Sequence, residues 1–411
     1  MRTPPAHRAT TAHLQAAYPF VGEIGLGACG AYIGRDLLGG SFCFDPWELY
    51  GQGVLTNPNM VVIGQIGRGK STFVKSLVWR LQVFGRRAWI VDPKGEYAPL
   101  AERSGAVALR VAPGSALRLN PLDTPTGPSP EMDRRRGELL CSLVASSLGR
   151  DLGPSERTAA DLAVRRVGRA TAAPTLPQVI EALLQPTAAS AATVHADVAT
   201  LAADGRQIAL ELRRMVEGDL AGMFDGPTTV GFDLSAPLVV LDLSALYSSP
   251  ALGVLMTCAT AWLQATLGAA DGTKRLVIVD EAWAILHNLG IARWMQAGFK
   301  LSRALGVANV AVVHRLSDLR AAGSAGSEQQ RLAQGLLSDS ETRVVFGQPP
   351  SEVETAAELL GLTSTEAELL PQLPRGVALW KVGTRSFLVE HRVGPDELAL
   401  IDTDVAMRTS R

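Results

Sequence analysis

The stretch Val61–Thr72, VVIGQIGRGKST, joins an apolar run to a glycine-rich loop and to the start of an amphipathic segment. Within it, Gly64–Ser71 fits the pattern G-x-x-x-x-G-K-[ST] in full. Such glycines let backbone N–H groups surround phosphate oxygens, while the lysine reaches the β- and γ-phosphates and the serine hydroxyl ligates Mg²⁺. The apolar residues after the loop recur at helical spacing, so the loop opens a helix whose N-terminus faces the anion. The stretch therefore predicts a strand, a phosphate-binding loop (P-loop) and a helix.

The residues expected to bind a nucleotide are those of the loop and of the first turn of its helix. They are Gly64, Gln65, Ile66, Gly67, Arg68, Gly69, Lys70, Ser71 and Thr72. Lys70 is also expected to act in catalysis, and Ser71 to ligate the metal. The expected substrate and cofactor are ATP and Mg²⁺. A chance glycine-rich turn is the alternative, and the strand before the loop and the helix after it argue against that alternative.

A second apolar run, Arg275–Val279, ends in the carboxylate pair Asp280 and Glu281. In a P-loop enzyme the aspartate holds Mg²⁺ through the coordination shell of the ion, and the neighbouring glutamate can polarise the attacking water. An apolar run that ends in Asp-Glu is a weak indication by itself. Together with a complete P-loop it predicts a site for nucleotide hydrolysis.

Three further residues are candidates for the same site. The predicted strand Arg87–Val91 leads into DPKGEY, which places Asp92 and Glu96 where α/β sheets bind ligands. A turn-forming Asp-Pro is the alternative for Asp92. Arg303, after the helix that follows Asp280 and Glu281, is the candidate to neutralise charge at the γ-phosphate, either within its own subunit or from a neighbouring one. A surface salt bridge is the alternative for Arg303.

The composition fits a cytosolic α/β protein with an aliphatic core. Of 411 residues, 47% are hydrophobic and 5% aromatic, and the net charge of −1 offers no global basic field, so any contact with DNA must be local. The four cysteines are far apart and lack metal-ligand spacing, which favours free thiols. Residues 243–270 carry no charge, but their polar residues and Pro250 favour a buried helix over a membrane span.

Apolar strands that alternate with helical segments predict an α/β fold with a mainly parallel central sheet. Residues 124–230 contain helical patterns without a strand, and they predict an all-α insertion. The run Arg134–Arg136 within it is expected to be a solvated helix face, with contact to nucleic acid or a partner as the alternative. The expected organisation is a disordered segment 1–20, a β-hairpin region 21–56 packing on the core, and a nucleotide-binding domain in two parts, 57–123 and 231–411, around the insertion.

Several features together resemble the conjugative-transfer ATPases of type IV secretion systems, the TraC-like members of the HerA–FtsK class of RecA-like P-loop motors. These features are DPKGEY at 92–97, DEAW at 280–283, the insertion between them, and DELALIDTD at 396–404 after a terminal strand pair. The resemblance covers about residues 51–404. It implies a RecA-like fold and a hexameric cytoplasmic ATPase at the base of a secretion channel, energising channel assembly or substrate transfer. The implied partners are secretion-channel or coupling proteins and DNA, with the inner face of the membrane reached only through such partners.

The sequence departs from this family at two places. Only about 50 residues precede the core, whereas family members carry a large N-terminal docking domain, so docking is expected to depend on another protein. The family also carries Thr-Gln after the next strand, and this chain has Val313-His314 there. His314 can still hydrogen-bond a phosphate or the lytic water as a sensor, or it can be a core histidine.

Two other functions stay open at this point. A HerA- or FtsK-like translocase would pump DNA without a secretion channel, and a nucleotide-gated assembly protein would bind ATP without hydrolysing it. The intact Lys70, Asp280 and Glu281 argue against the second of these.

Overall fold

The computed structural model describes residues 25–106, 108–110, 117–123, 130–218, 220–229, 236–246, 272–282, 289–317 and 327–402, together with the single residues 112, 114, 252 and 255. The predicted disordered segment 1–20 lies outside the described residues, as does most of the uncharged stretch 243–270. Within the described part of the chain, no helix is long and apolar enough to cross a membrane.

The described residues form one eleven-stranded sheet with the order β2-β1-β11-β10-β9-β3-β8-β7-β4-β6-β5. The strands are β1 Ala31–Asp36, β2 Ser41–Phe44, β3 Met60–Ile63, β4 Arg87–Asp92, β5 Ala108–Arg110, β6 Leu238–Asp242, β7 Arg275–Val279, β8 Val307–Val313, β9 Thr342–Phe346, β10 Val377–Val382 and β11 Arg385–His391. The seven strands from β9 to β5 are parallel. The rest of the sheet, from β2 to β10, pairs antiparallel. The predicted N-terminal hairpin therefore extends the main sheet through β11.

The helices that flank this sheet begin with α1 Pro46–Gly51, α2 Lys70–Gln82 and α3 Ala98–Arg103. Between β5 and β6 follow α4 Pro130–Leu148, α5 Pro154–Ala170, α6 Leu176–Leu184, α7 Ala188–Ala192 and α8 Val198–Glu217. After β7 come α9 Leu289–Leu305, α10 Glu328–Ser338, α11 Pro350–Leu360, α12 Ser364–Leu369 and α13 Pro395–Ile401.

Both faces of the sheet are covered, because successive side chains of a strand point to opposite faces. In β3, Met60 and Val62 belong to a core that includes residues of α2 and α3. Val61 and Ile63 belong to the opposite core, which also holds the apolar residues of α4–α8. All four of these side chains are at most 2% exposed. The P-loop strand is thus fixed from both sides.

The helix that follows the P-loop is anchored by an aromatic cluster. The Phe73 ring lies 5.2 Å from the Trp380 ring, 5.7 Å from the His391 ring and 6.1 Å from the Phe346 ring, measured between centroids. Aromatic pairs of this kind contribute about 0.5–1.5 kcal/mol each beyond their area burial. The cluster therefore holds the first turns of α2 against β9, β10 and β11.

The residues described between β5 and β6 contain helices and no strand, as predicted, while the limits 124–230 stay a prediction. The expectation of a solvated face for the arginine run is wrong for Arg136, which is 2% exposed. Its guanidinium donates to the carbonyls of Leu122 (2.9 Å) and Ala172 (3.2 Å) and pairs with Asp133 at 3.2 Å. These contacts satisfy the buried guanidinium of Arg136, and they connect α4 to the segments before and after it.

Candidate active site

The carboxyl ends of four adjacent parallel strands, β3, β8, β7 and β4, lie along one edge of the sheet. The P-loop leaves β3, His314 follows β8, Asp280 and Glu281 follow β7, and Asp92 ends β4. The fold thereby brings four loops that are distant in sequence to the edge where parallel sheets bind ligands. Among the site residues predicted from the sequence, Arg303 alone lies away from this edge.

Glycine is required in the P-loop for its backbone shape. Gly67 and Gly69 have φ of +78° and +106°, in the region that favours glycine. A Cβ on Gly64 would lie 2.6 Å from the Cβ of Phe346, so the loop approaches β9 too closely for a side chain. Gly69 caps the N-terminus of α2, which begins at Lys70. The amides of the first turn therefore point out of the helix, as in anion sites at helix N-termini.

The tip of the P-loop is held by the segment before β10. The Arg68 guanidinium donates to the carbonyl of Leu373 at 3.4 Å, and the amide of Gly376 donates to the carbonyl of Arg68 at 3.1 Å. These two contacts fix Arg68 to the protein at both its main chain and its side chain.

Lys70 lies inside the loop and is only 4% exposed. Its ammonium donates to the carbonyl of Gln65 at 2.9 Å. Burial, opposed by the charges of Asp280 and Glu281, lowers the pKa of Lys70 to about 8. A bound phosphate would favour the charged form of Lys70, because an anion stabilises a nearby ammonium.

This pKa gives an expected pH dependence of nucleotide binding. Below about pH 8 Lys70 is charged in the free protein, so its contribution to ADP affinity is constant. Above that pH the free amine must take up a proton on binding, so we expect ADP affinity to fall up to about tenfold per pH unit. Titration of ADP without metal between pH 7.5 and 9.5 checks this. Lys70→Met should bind more weakly with a flat profile; an equal decline in both proteins would contradict it.

Asp280 is buried at the end of β7, where it has two defined hydrogen bonds. Its Oδ1 accepts from the Glu281 amide at 2.9 Å, and its Oδ2 accepts from the Tyr97 hydroxyl at 3.2 Å. Burial, together with the Glu281 charge, raises the pKa of Asp280. Tyr97 is fully buried and therefore fixes the direction of this carboxylate from the neighbouring loop.

Glu281 has a left-handed backbone, with φ +53°. A non-glycine residue in this region costs on the order of 1–3 kcal/mol, which the surrounding structure must offset. The Glu281 side chain is 2% exposed, and its Oε1 lies 2.6 Å from Nε2 of His314. The same Oε1 forms an ion pair with the ammonium of Lys94. The carboxylate is thus held by two residues from two other loops.

His314 lies where the sequence places it, directly after the central strand β8. The last residue of β8, Val313, pairs with Ile63 of the P-loop strand. The His314 ring is 20% exposed and faces Glu281. Its role as a sensor stays a prediction, which this position beside Glu281 supports.

Asp92 shapes the DPKGEY loop. Its Oδ1 accepts from the amides of Lys94 (3.1 Å) and Gly95 (2.9 Å), and its Oδ2 accepts from the Tyr97 amide at 2.9 Å. Burial, partly offset by these amides, raises the pKa of Asp92 to about 6. The geometry therefore favours the turn-forming alternative for Asp92, whose carboxylate holds the loop that carries Lys94, Glu96 and Tyr97.

Glu96 is near the site, but its carboxylate faces a buried lysine. Its Oε2 lies 3.7 Å from Nζ of Lys75, which is 1% exposed and stacks over the Tyr97 ring at 5.0 Å. Burial lowers the pKa of Lys75 and the Glu96 charge opposes that shift. This pairing makes Glu281 a better-placed general base than Glu96.

Arg303 is exposed near the C-terminus of α9, just before β8 begins. Since β8 runs seven residues from there to the P-loop edge, the Arg303 backbone lies about 20 Å from its own P-loop at 3.3 Å per residue. This distance disfavours action within its own subunit. Action on a neighbouring subunit stays a prediction.

Sequence inspection missed Lys94 and Tyr97 as site residues. Both belong to the DPKGEY motif, which the sequence marks as a loop at a strand's carboxyl end. What the sequence does not show is that β4 and β7 are neighbours, which brings this loop to Asp280 and Glu281.

The residues present fit Mg²⁺ bound together with a nucleotide. Among the described residues, no group of three or more His, Cys, Asp or Glu could hold a metal ion. Mg²⁺ in nucleotide sites takes one or two protein ligands, with phosphates and waters as the others. The Ser71 hydroxyl at the start of α2 and the buried Asp280 carboxylate provide such a set.

Comparison with known proteins agrees with this architecture. A family model described as an AAA-like domain matches residues 49–108, which carry the P-loop and DPKGEY. No curated protein matches the sequence. The structure of VirB4 of Thermoanaerobacter pseudethanolicus matches with a TM-score of 0.75 and 22% identity, over 90% of this chain and 98% of that one.

The plasmid coupling protein TrwB also matches. Its complex with ADP and Mg²⁺ gives a TM-score of 0.58 and 15% identity, over 82% of this chain and 86% of the chain in that structure. Its complex with the ATP analogue ADPNP gives a TM-score of 0.57 and 14% identity over the same shares. The chain therefore has the fold of these proteins. The predicted class, a RecA-like P-loop α/β fold with a mainly parallel sheet, is confirmed.

Proposed function

We propose that this protein is an ATP-hydrolysing motor of a conjugative or type IV secretion apparatus. The observation that carries the proposal is the meeting of Lys70, Asp280 and Glu281 at one edge of a sheet that is shared with VirB4 and TrwB. The TrwB structures with ADP, Mg²⁺ and ADPNP support nucleotide and metal binding at such a fold. The reaction is hydrolysis of ATP to ADP and phosphate.

The proposed chemistry follows from the placement of these residues. The P-loop residues 64–72 hold the phosphates, and Lys70 contacts the β- and γ-phosphates. Glu281 accepts a proton from the attacking water, whose oxygen forms a bond to the γ-phosphorus as the bond to the β–γ bridging oxygen breaks. His314 orients Glu281 through the 2.6 Å contact. Ser71 and, through a water molecule, Asp280 would hold Mg²⁺, which would supply charge neutralisation of the phosphates.

The proposed setting is a homo-hexamer that works with secretion-channel or coupling proteins in the cytoplasm. It would reach the inner face of the cell membrane through these partners, and DNA is a further candidate partner. A HerA- or FtsK-like translocase without a channel is the competing function. ATPase assays with and without naked duplex DNA separate the two, because a free translocase should be strongly stimulated and the secretion motor should not.

The ring arrangement leads to a prediction about Arg303. If Arg303 acts on the neighbouring subunit, mixing inactive Arg303→Ala with inactive Glu281→Gln should restore part of the ATPase activity. Mixed rings contain interfaces that combine an intact Glu281 with a neighbour's intact Arg303, and neither parent has such an interface. Phosphate release is measured after subunit exchange has been verified by fluorescence transfer. Activity equal to the sum of the two parents would rule out action across the interface.

A further inference from the structure

Lys94 is the residue of the site that the proposed chemistry leaves without a role. It lies in the loop between β4 and α3, where the Asp92 carboxylate fixes its backbone amide at 3.1 Å. Its ammonium pairs with Oε1 of Glu281, and its side chain is 28% exposed. A partly exposed lysine on a fixed backbone can swing its four-carbon side chain toward a ligand in the open site.

The neighbourhood of Lys94 is strongly charged. Burial is the largest cause of the lowered pKa of Lys70, and the charge of Lys94 lowers that pKa further. The charges of Asp280 and Glu281 oppose this shift. Lys94 also stabilises the ionised form of Asp280, against the burial and the Glu281 charge that raise that pKa. Lys94 therefore shares its electrostatic surroundings with the lysine of the P-loop and with both carboxylates after β7.

The position of Glu281 sets the distance from Lys94 to the substrate. A general base must lie within hydrogen-bond reach of the water that it activates, and that water lies about 3–3.5 Å from the atom it attacks. A cation paired with the same carboxylate oxygen is then roughly one water molecule away from the γ-phosphate. The four-carbon side chain of a lysine can cover a distance of this size by a change in its torsions.

We propose that Lys94 binds the γ-phosphate of ATP from within the same subunit and leaves Glu281 free to act on water as it does so. This inference rests on the proposed ATPase function. Charge on the γ-phosphoryl group is spread over three oxygens, so a second lysine can neutralise an oxygen that Lys70 does not contact. Lys75 is less suited to this role, because it is 1% exposed and faces Glu96 and Tyr97.

The test compares ATP with ADP, which lacks the γ-phosphate. In a Glu281→Gln background, which prevents turnover, binding of both nucleotides with Mg²⁺ is measured by calorimetry with and without Lys94→Met. We expect ATP to bind about 10- to 100-fold more weakly in Lys94→Met, the usual effect of losing a charged hydrogen bond, while ADP changes less than about twofold. Lys94→Arg should recover part of the ATP affinity, because it keeps the charge.

The matched control is Lys381→Met, since Lys381 also pairs with a carboxylate, Glu366 at 3.0 Å, near the end of β10 that lies away from the P-loop edge of the sheet. It should change neither affinity. Unchanged ATP affinity in Lys94→Met, or equal losses for ATP and ADP, would overturn the contact with the γ-phosphate while leaving the ATPase proposal intact. Failure of the Glu281→Gln parent to bind either nucleotide would instead overturn both proposals.

Discussion

Replacing Lys70 with alanine is expected to reduce ATP hydrolysis by at least about 10²–10³-fold, the usual cost of losing one charge-stabilising donor at a reaction centre. The ammonium of Lys70 lies inside the P-loop and donates to the Gln65 carbonyl. Its loss removes the positive charge that we propose to contact the phosphates. The apolar contacts that hold α2, above all those of Phe73, stay in place. The fold should therefore survive the change.

Steady-state phosphate release from Mg-ATP measures this effect, and circular dichroism with thermal unfolding verifies the fold. Lys70→Arg is the matched control, because it keeps the charge in a larger group and should lose less binding than alanine. Turnover of Lys70→Ala at the wild-type rate would show that the P-loop does not contact the phosphates.

Glu281→Gln is expected to lower turnover by about 10²–10⁴-fold while ATP still binds, the range typical of losing a general base. Glutamine keeps the shape of the side chain and its contact with His314, but it cannot accept a proton from water. The proposed metal ligand Asp280 is spared, since it keeps its hydrogen bond from the Tyr97 hydroxyl. Binding and turnover should thus separate in this variant.

Single-turnover hydrolysis and equilibrium ATP binding measure the two quantities for Glu281→Gln. Glu96→Gln is the control, because Glu96 faces Lys75 and should retain most activity. If Glu281→Gln hydrolyses ATP within a few-fold of the wild-type rate, the base is not Glu281, and Glu96 becomes the candidate.

The local pattern of the sequence was sufficient to predict much of the fold. The strand β7 has the bounds of the apolar run Arg275–Val279 that predicts it, and β4 extends the predicted Arg87–Val91 by one residue. Both are mostly buried runs with an aspartate at the carboxyl end. The P-loop and the Asp280–Glu281 pair were predicted from residue types whose chemistry leaves few alternatives. Such features depend on neighbours in the chain alone.

What the sequence could not provide was the order of the strands. The contacts of Glu281 with Lys94 and His314 exist because β7 pairs with β4 on one side and with β8 on the other. Arg136 likewise became a buried residue through carbonyls that the chain supplies 14 residues before it and 36 after it. These contacts depend on tertiary pairing, which hydrophobic periodicity does not record.

The placement of Arg303 could have been predicted in part from topology. A helix that follows one parallel strand must return to the amino edge of the sheet before the next strand begins. Arg303 is in the last turn of α9, so it lies at the amino edge of the sheet, opposite to its own P-loop. The topology therefore disfavours a contribution from Arg303 to catalysis in its own subunit.

Steady-state phosphate release by the purified protein with Mg-ATP tests the central proposal most directly. A motor with a working Lys70, Asp280 and Glu281 should release many phosphates per site, and release should stop when Mg²⁺ is chelated. Glu281→Gln in the same assay should bind ATP and release almost no phosphate. Tight ATP binding by the wild-type protein without sustained phosphate release would contradict the account and favour the nucleotide-gated assembly protein.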